Sequence, residues 1–121
     1  MRGLLTLSAV AVVLTAVACG SNTSSSVLPA TTTNVDVTIN IQANNGAQSY
    51  SPNPATVRVG QTVAWRNADV ITHTATQDGG SFQTGNVAAG AMSTPIMMSS
   101  AGTFTYHCAI HPGMVGTLTV Q

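Results

Sequence analysis

One short stretch decides how the rest of this chain must fold: Cys108-Ala109-Ile110-His111-Pro112-Gly113-Met114. It holds a thiol, an imidazole and a thioether within a loop about as long as a single turn. All three groups are soft or borderline metal ligands, and none of them suits magnesium or calcium. The stretch therefore predicts a transition-metal site, and any further ligand must be brought to it by the fold.

The donor types indicate which metal the site would bind. Two histidines and one cysteine, with a weakly bound methionine, form the ligand set of an electron-transfer copper site. The loop supplies one histidine, and the chain contains three, His73, His107 and His111. His107 directly precedes Cys108 in a predicted strand, so its side chain is expected on the opposite face. That leaves His73 as the second imidazole, which the fold must carry from mid-chain to the loop.

Other uses of these side chains explain the loop less well. Structural zinc takes four Cys or His ligands, and methionine is not among them. A cysteine hydrolase needs a general base and an orienting group near its nucleophile, and the loop has no carboxylate. Cys108 could be an apolar core residue and His73 a buried strand histidine, but neither alternative accounts for the spacing of the loop.

Alternation of apolar and polar residues predicts β-strands from residue 35 onward. The clearest case is Val35–Gln42, in which every second side chain is apolar. Further strands or extended segments are predicted at 55–59, 62–66, 72–77, 92–98, 103–108 and 114–120, with turn signals between them. The pattern predicts an all-β fold, an antiparallel Greek-key β-sandwich of about seven or eight strands. Its expected core includes Val63, Trp65, Phe82, Leu118 and Val120.

Charge is scarce in this chain of 121 residues, which has three arginines, three aspartates, no lysine and no glutamate. Without a basic patch to hold phosphates, nucleic acid is excluded as a partner class. The length allows one domain with a modest core, which a bound metal ion would help to stabilise.

Residues 1–18 are expected to be an export signal peptide and not part of the fold. The start is positively charged, and the apolar run at 4–17 is too short to span a membrane as a stable helix. Leu14–Cys19 resembles a bacterial lipoprotein box, in which the cysteine is lipidated and becomes the first residue of the mature protein. Ala16 departs from that pattern, because leucine is usual there. The alternative is an ordinary secretory signal cleaved near Ala18, and either signal exports the chain.

Residues 19–34 are predicted to be a tether, because their Ser-, Thr- and Asn-rich composition cannot build a core. With lipid on Cys19, the copper-binding domain at 35–121 would be held at the periplasmic or cell-surface side of a bacterial membrane. Cys19 and Cys108 are the two cysteines of the chain and could instead form a disulfide. That bridge would consume the thiol that the metal loop needs, whereas lipid on one and metal on the other account for both.

At the metal loop the chain resembles the cupredoxins, the small type 1 blue copper proteins, over about residues 35–121. The matching pieces are Val63-Ala64-Trp65-Arg66-Asn67, Asp69 ahead of His73-Thr74, Phe82, Gly85, and Gly102-Thr103-Phe104-Thr105-Tyr106-His107-Cys108 with His111, Met114 and Gly116. The Cys-x₂-His-x₂-Met spacing is similar to that of the short-loop, amicyanin-like members. The final block is the specific part of the resemblance.

The resemblance implies a cupredoxin fold that binds one copper ion per chain through His73, Cys108, His111 and Met114. Several members carry Asn directly after the first histidine, where it braces the ligand loop. Here that residue is Thr74, whose hydroxyl can substitute in part. Related multicopper oxidases and copper nitrite reductases need more histidines than this chain has, so the resemblance implies that the protein is not an enzyme. Its expected partners are redox proteins such as c-type cytochromes or copper-containing reductases, and we expect a monomer.

Taken together, the sequence predicts an exported one-electron carrier that cycles copper between Cu(I) and Cu(II). The alternative is a module that stores, senses or delivers copper. A third class, a metal-free sandwich used for adhesion, would leave Cys108 and His73 without a role. We expect electrons to leave through His111, beside Ile110 on an uncharged loop. Backbone N–H groups of the 73–74 segment are expected near the Cys108 sulfur, where they would tune the potential.

Overall fold

The computed structural model describes residues 34–121, so the predicted signal, the predicted lipidation at Cys19 and the tether before Asn34 lie outside the described residues. The described part contains eight β-strands and a short 3₁₀ turn at Gly46–Gln48. Within it, no helix is long and apolar enough to cross a membrane. The strands are β1 (Val37–Ile41), β2 (Tyr50–Ser51), β3 (Ala55–Val57), β4 (Thr62–Asn67), β5 (Thr76–Gln77), β6 (Ile96–Met97), β7 (Gly102–His107) and β8 (Val115–Val120).

These strands form two four-stranded sheets that pack against each other, which confirms the predicted all-β sandwich. The first sheet has the order β2-β1-β4-β6 and the second has the order β3-β8-β7-β5. The antiparallel description needs one amendment, because each sheet contains a parallel pair. Strands β1 and β4 pair in parallel in the first sheet, and β3 and β8 do so in the second. Both pairs arise because the chain moves to the second sheet at β3 and returns to the first at β4, so the strands that meet are distant in sequence.

Two of the predicted strands are much shorter than the sequence suggested. The segment 72–77 is a strand only at Thr76–Gln77, and the segment 92–98 only at Ile96–Met97. Elsewhere these two segments pair with other parts of the chain through isolated bridges, such as the one between Arg66 and Met92. Pro95 lies just before β6 and has no N–H to donate, so the ladder with β4 cannot extend through it.

The core lies between the two sheets and is built from the alternating apolar side chains of both. All five residues predicted for it are buried: Val63, Trp65, Phe82, Leu118 and Val120. The Trp65 ring stacks on Phe82 with 5.5 Å between ring centroids and meets Tyr106 edge-on at 5.7 Å. Burial of such large rings is the main source of stability in a sandwich of this size.

The two ends of the sandwich have different contents. We call one end the ligand pole; it consists of the loops 68–75 and 108–114 with the strand ends that carry them. Strands β1 and β4 both run towards it, and the Ala68 N–H donates to the Ile41 carbonyl at 2.8 Å. At the far pole the Thr62 hydroxyl donates to the Asn34 carbonyl, and the Val59 N–H donates to the Gln121 carbonyl.

Candidate metal centre

The ligand loop 108–114 is the connection between β7 and β8. Cys108 directly follows β7 and Met114 directly precedes β8, and these two strands pair along their whole length. The Cys108 N–H donates to the Met114 carbonyl at 3.1 Å, and the Met114 N–H donates to the His111 carbonyl at 2.9 Å. The loop is therefore closed at its base by the sheet and across its middle by its own backbone, which limits how far its side chains can move.

Three donor atoms converge at the ligand pole. The Nδ1 atoms of His73 and His111 each lie 3.9 Å from the Cys108 sulfur and 3.3 Å from each other. Cys108, His73 and Met114 are fully buried, whereas His111 is partly exposed. Met114 belongs to the same buried cluster as Cys108. The fold thus brings together the four side chains that the sequence singled out.

The donor set fits a copper ion. A thiolate, two imidazole nitrogens and a thioether are the ligands of an electron-transfer copper site. Donor separations of 3.3–3.9 Å are those expected around one ion with bonds of about 2.0–2.3 Å, the lengths that zinc makes to the same ligand types. Buried electron pairs that face one another repel, and a cation between them removes that repulsion.

The sulfur of Cys108 is prepared for a metal by its surroundings. Burial raises the pKa of the thiol, but the backbone N–H groups around the sulfur, those of Thr74 and His111 foremost, stabilise its charge, and the pKa falls to about 6. The Thr74 N–H donates to the sulfur at 3.3 Å, as expected for the 73–74 segment. The lowered pKa favours the thiolate, the form of cysteine that binds a metal.

Thr74 ties the ligand loop to the rest of the domain. Its hydroxyl accepts a hydrogen bond from the Ala109 N–H at 2.8 Å, so it braces the loop, as expected for the residue after His73. Its carbonyl accepts from the hydroxyl of Tyr50 at 2.6 Å. Tyr50 is buried, and burial raises the pKa of its phenol, so the hydroxyl remains a donor. Sequence analysis had given Tyr50 no role.

Asp69 holds the His73 ring from the side opposite the sulfur. The distance from His73 Nε2 to the Asp69 carboxylate is 2.8 Å. An ionised carboxylate can only accept, so Nε2 carries the proton and Nδ1 keeps its lone pair for the metal. The hydrogen bond from His73 lowers the pKa of the Asp69 carboxyl, and the Val70 N–H lowers it further. The sequence placed Asp69 ahead of His73 but gave no sign of this contact.

A buried asparagine, which the sequence analysis also missed, fixes the loop that carries these two residues. The Asn67 amide donates to the carbonyls of Ile71 at 2.6 Å and Val87 at 2.9 Å, and its oxygen accepts from the Asp69 N–H at 2.9 Å. His73 and Val87 also exchange two backbone hydrogen bonds. The side chain of His73 is therefore anchored through its backbone, its loop and its ring.

His107 does not join the group of donors. Its Nδ1 donates to Asp78 at 2.6 Å, and both side chains are exposed to a considerable degree. This agrees with the prediction that His107 faces away from Cys108.

Three apolar side chains are exposed at the ligand pole. Val70 is 86% exposed, Ile71 45% and Ile110 47%, and we call these three residues the apolar rim. They lie on the same two loops as His73 and His111.

A sandwich that carries a His–Cys–His group beside a buried methionine defines the chain as a copper-binding protein by fold and site together. Comparison with known proteins agrees: the family model for copper binding proteins of the plastocyanin/azurin family matches residues 37–121. The chain belongs to this family, the cupredoxins, and binds copper.

Individual relatives show how far the similarity extends. A plastocyanin from Scenedesmus fuscus is 33% identical over 98 residues, which cover 71% of this chain and 100% of the plastocyanin. An amicyanin from Paracoccus denitrificans is 32% identical over 74 residues, 54% of this chain and 53% of the amicyanin. A solved structure described as a novel purple cupredoxin from Nitrosopumilus maritimus matches with a TM-score of 0.63 and 29% identity, covering 71% of this chain and 100% of that one.

Proposed function

We propose that the protein is an exported one-electron carrier whose single copper ion is bound by His73, Cys108, His111 and Met114. The observation that carries the proposal is the convergence of two imidazole nitrogens on the Cys108 sulfur at 3.9 Å, inside a closed loop. Bound there, copper supplies reversible one-electron exchange between Cu(I) and Cu(II). The chain supplies the frame, and we assign it no enzymatic step.

The frame suits electron transfer because it resists rearrangement. Cu(I) and Cu(II) prefer different geometries, so a site that yields to each preference spends free energy on reorganisation. Here β7 and β8 close the ligand loop, while Asp69 and Val87 hold His73. The Thr74 N–H on the sulfur and the buried Met114 are the groups that we expect to adjust the potential.

Electrons are expected to leave through His111. Of the two histidines in the group, it alone is partly exposed, and the apolar rim lies on the loops around it. A small surface with exposed apolar side chains suits the brief encounters of redox proteins, which bury little area. We propose redox proteins as partners, with c-type cytochromes and copper-containing reductases as candidates, and a monomeric carrier.

We also propose that residues 1–18 are removed as a signal, that Cys19 is lipidated, and that 19–34 tether the domain at the periplasmic or outer surface of a bacterial membrane. The supporting observation is that Asn34 lies at the far pole. A tether joined there leaves His111 and the apolar rim free to meet partners. Mass spectrometry of the mature protein tests this proposal, since a lipidated Cys19 as the first residue supports it and an unmodified N-terminus near Ala18 contradicts the lipid anchor.

The test of the copper site is spectroscopic. The protein loaded with Cu(II) should show an intense visible band from thiolate-to-copper charge transfer and a narrow copper hyperfine splitting in EPR. Cys108→Ser should abolish the band and His73→Ala should weaken or remove it, whereas the control His107→Ala should leave it intact. Absence of the band in the wild-type protein would contradict the proposal.

Voltammetry and copper transfer separate carriage of electrons from delivery of copper. An electron carrier should cycle reversibly and retain copper in both oxidation states. Ready loss of Cu(I) to an acceptor protein, without reversible cycling, would instead favour copper storage or delivery.

A further inference from the structure

We infer that Asp69 is a positioning residue for the copper site, which fixes the ring of His73 with Nδ1 towards the ion and, by its negative charge, favours Cu(II) over Cu(I). The inference rests on the proposed role of His73 as a ligand. The Asp69 carboxylate would then have two separable effects, one on the orientation of the His73 ring and one on the reduction potential of the copper ion.

The orientation follows from the hydrogen bonds of the ring. His73 is fully buried, and its two nitrogens have different partners: Nε2 lies 2.8 Å from the Asp69 carboxylate, and Nδ1 faces the Cys108 sulfur at 3.9 Å. A rotation of the ring by half a turn about Cβ–Cγ would put Cε1 where Nε2 now meets Asp69 and Cδ2 where Nδ1 now faces the sulfur, so both contacts would be lost. The carboxylate therefore selects both the tautomer and the ring orientation that leave Nδ1 available.

Asp69 can do this because its own position is fixed. One carboxylate oxygen accepts the His73 hydrogen bond, and the other accepts from the Val70 N–H at 2.7 Å. The Asp69 backbone N–H donates to the buried Asn67 side chain, which also holds Ile71 and Val87. The side chain of Asp69 is 18% exposed, so its charge is only partly screened by water.

The effect on potential follows from the charge. A carboxylate that accepts the outer N–H of a ligating imidazole makes that imidazole a stronger donor. A stronger donor stabilises the more highly charged ion more, so Asp69 favours Cu(II) and lowers the reduction potential. Loss of the charge should therefore raise the potential.

The experiment compares Asp69→Asn and Asp69→Ala in the full copper-loaded chain, with Asp78→Asn as the matched control. Asp78 also accepts a hydrogen bond from a histidine, His107, at 2.6 Å, but that ring does not reach the donor group. Asp69→Asn preserves the volume of the side chain and one oxygen that can accept from His73, while it removes the charge and the second acceptor, which Val70 N–H now uses. Asp69→Ala removes the acceptor as well and releases the ring.

For Asp69→Asn we expect the visible band to remain and the affinity for Cu(II) relative to Cu(I) to fall about tenfold or more, since loss of such outer partners lowers metal affinity by roughly 10- to 100-fold. Each tenfold change corresponds to a rise of about 59 mV in the potential of a one-electron couple. For Asp69→Ala we expect the same rise and an altered hyperfine splitting. Asp78→Asn should leave both quantities at their wild-type values.

A second readout does not need copper. NMR of the histidine side chains in the metal-free protein should show a slowly exchanging Nε2 proton on His73 that persists in Asp78→Asn and is lost in Asp69→Ala. Unchanged potential in Asp69→Asn would overturn the effect of charge, and a retained Nε2 proton in Asp69→Ala would overturn the positioning role. If Asp69→Ala does not fold, an Nε2 proton that exchanges rapidly in the wild-type protein would still contradict that role.

Failure of this inference is distinguishable from failure of the proposed function. If the wild-type protein shows no thiolate–copper band, the proposed function is wrong and the effect on potential falls with it, while NMR still decides whether Asp69 holds the ring. If the wild-type protein shows the band and the Asp69 variants behave like Asp78→Asn, only the inference is wrong.

Discussion

The backbone N–H of Thr74 donates to the sulfur of Cys108 at 3.3 Å, although the two residues are 34 positions apart in the chain. Thr74 also directly follows His73, so one dipeptide carries an imidazole of the site and a hydrogen-bond donor to its thiolate. A displacement of this segment would alter the position of His73 and the charge on the sulfur at the same time. The hydrogen bonds that hold Thr74 in place therefore help to fix both His73 and the N–H donor to the sulfur.

The hydroxyl of Thr74 is the first of these bonds, and Thr74→Val removes it with little change in shape. The Ala109 N–H, which donates to that hydroxyl at 2.8 Å, would lose its partner. This bond is part-buried, and a typical hydrogen bond contributes about 0.5–1.5 kcal/mol, so we expect the free energy of unfolding of the metal-free protein to fall by that amount in urea titrations. Thr74→Ser keeps the hydroxyl and serves as the control. Equal stability of the Val and Ser variants would contradict the bracing role.

The hydroxyl of Tyr50 is the second bond, and Tyr50→Phe removes it. The Thr74 carbonyl, which accepts from Tyr50 at 2.6 Å, would be left without this donor in the interior. We expect a loss of about 1–3 kcal/mol in the free energy of unfolding. Tyr106→Phe is the matched control, because the buried Tyr106 hydroxyl has no hydrogen-bond partner within residues 34–121, and its removal should cost less than about 1 kcal/mol. The prediction fails if thermal unfolding shows the two variants to be equally destabilised.

The sequence predicted the features of this domain that repeat along the chain or lie within one short stretch. Alternation in Val35–Gln42 marked β1 because a strand with one buried face needs an apolar side chain at every second position. The loop 108–114 contains three of the four donor side chains, and its spacing alone pointed to a metal. His73 could be added because the chain has only three histidines and one of them, His107, directly precedes Cys108 in a predicted strand.

What the sequence did not show depends on residues that meet only after folding. The parallel pairing of β1 with β4 follows from the path of the chain between the sheets, which no local pattern records. Asp69 lies four residues before His73 in a loop, where a spacing of four has no fixed geometry, unlike in a helix. Asn67 and Tyr50 act through backbone carbonyls, and every residue of a chain has a carbonyl. Polar contacts of this kind carry no signature in residue type or spacing.

Replacement of Gly116 tests how closely β7 and β8 pack beside the ligand loop. Gly116 pairs with Tyr106 between β8 and β7, and a Cβ added at this glycine would lie 2.3 Å from the Tyr106 ring. Because both partners belong to paired strands in the core, the overlap cannot be relieved by moving a flexible side chain. Gly116→Ala should therefore destabilise the domain by about 1–3 kcal/mol, as overpacked cores do. The control is Gly113→Ala, where an added Cβ meets nothing within 4 Å, and equal melting temperatures for the two variants would contradict the account.

The thiol of Cys108 gives the metal-free protein a characteristic dependence on pH. Burial raises the pKa of this thiol, but backbone N–H groups of Thr74, His111 and Ile110 stabilise its charge, and the pKa falls to about 6, against an ordinary value of 9.0. Between these two pH values the unfolded chain holds a proton that the folded chain has released, so the free energy of unfolding must rise as the pH rises from about 6 to about 9. The gain is complete above the ordinary pKa and is lost as the pH falls through the folded one.

Two measurements on the metal-free protein check this dependence on pH. The ultraviolet absorbance of the thiolate should appear with a midpoint near pH 6. Urea unfolding at a series of pH values should give a free energy of unfolding that increases from about pH 6 to about pH 9. Cys108→Ser is the control, because subtracting its values removes the contribution of every other titrating group, including Cys19. A thiolate that forms only near pH 9, or a difference between the two proteins that does not change with pH, would mean that the backbone N–H groups around the sulfur do not stabilise its charge.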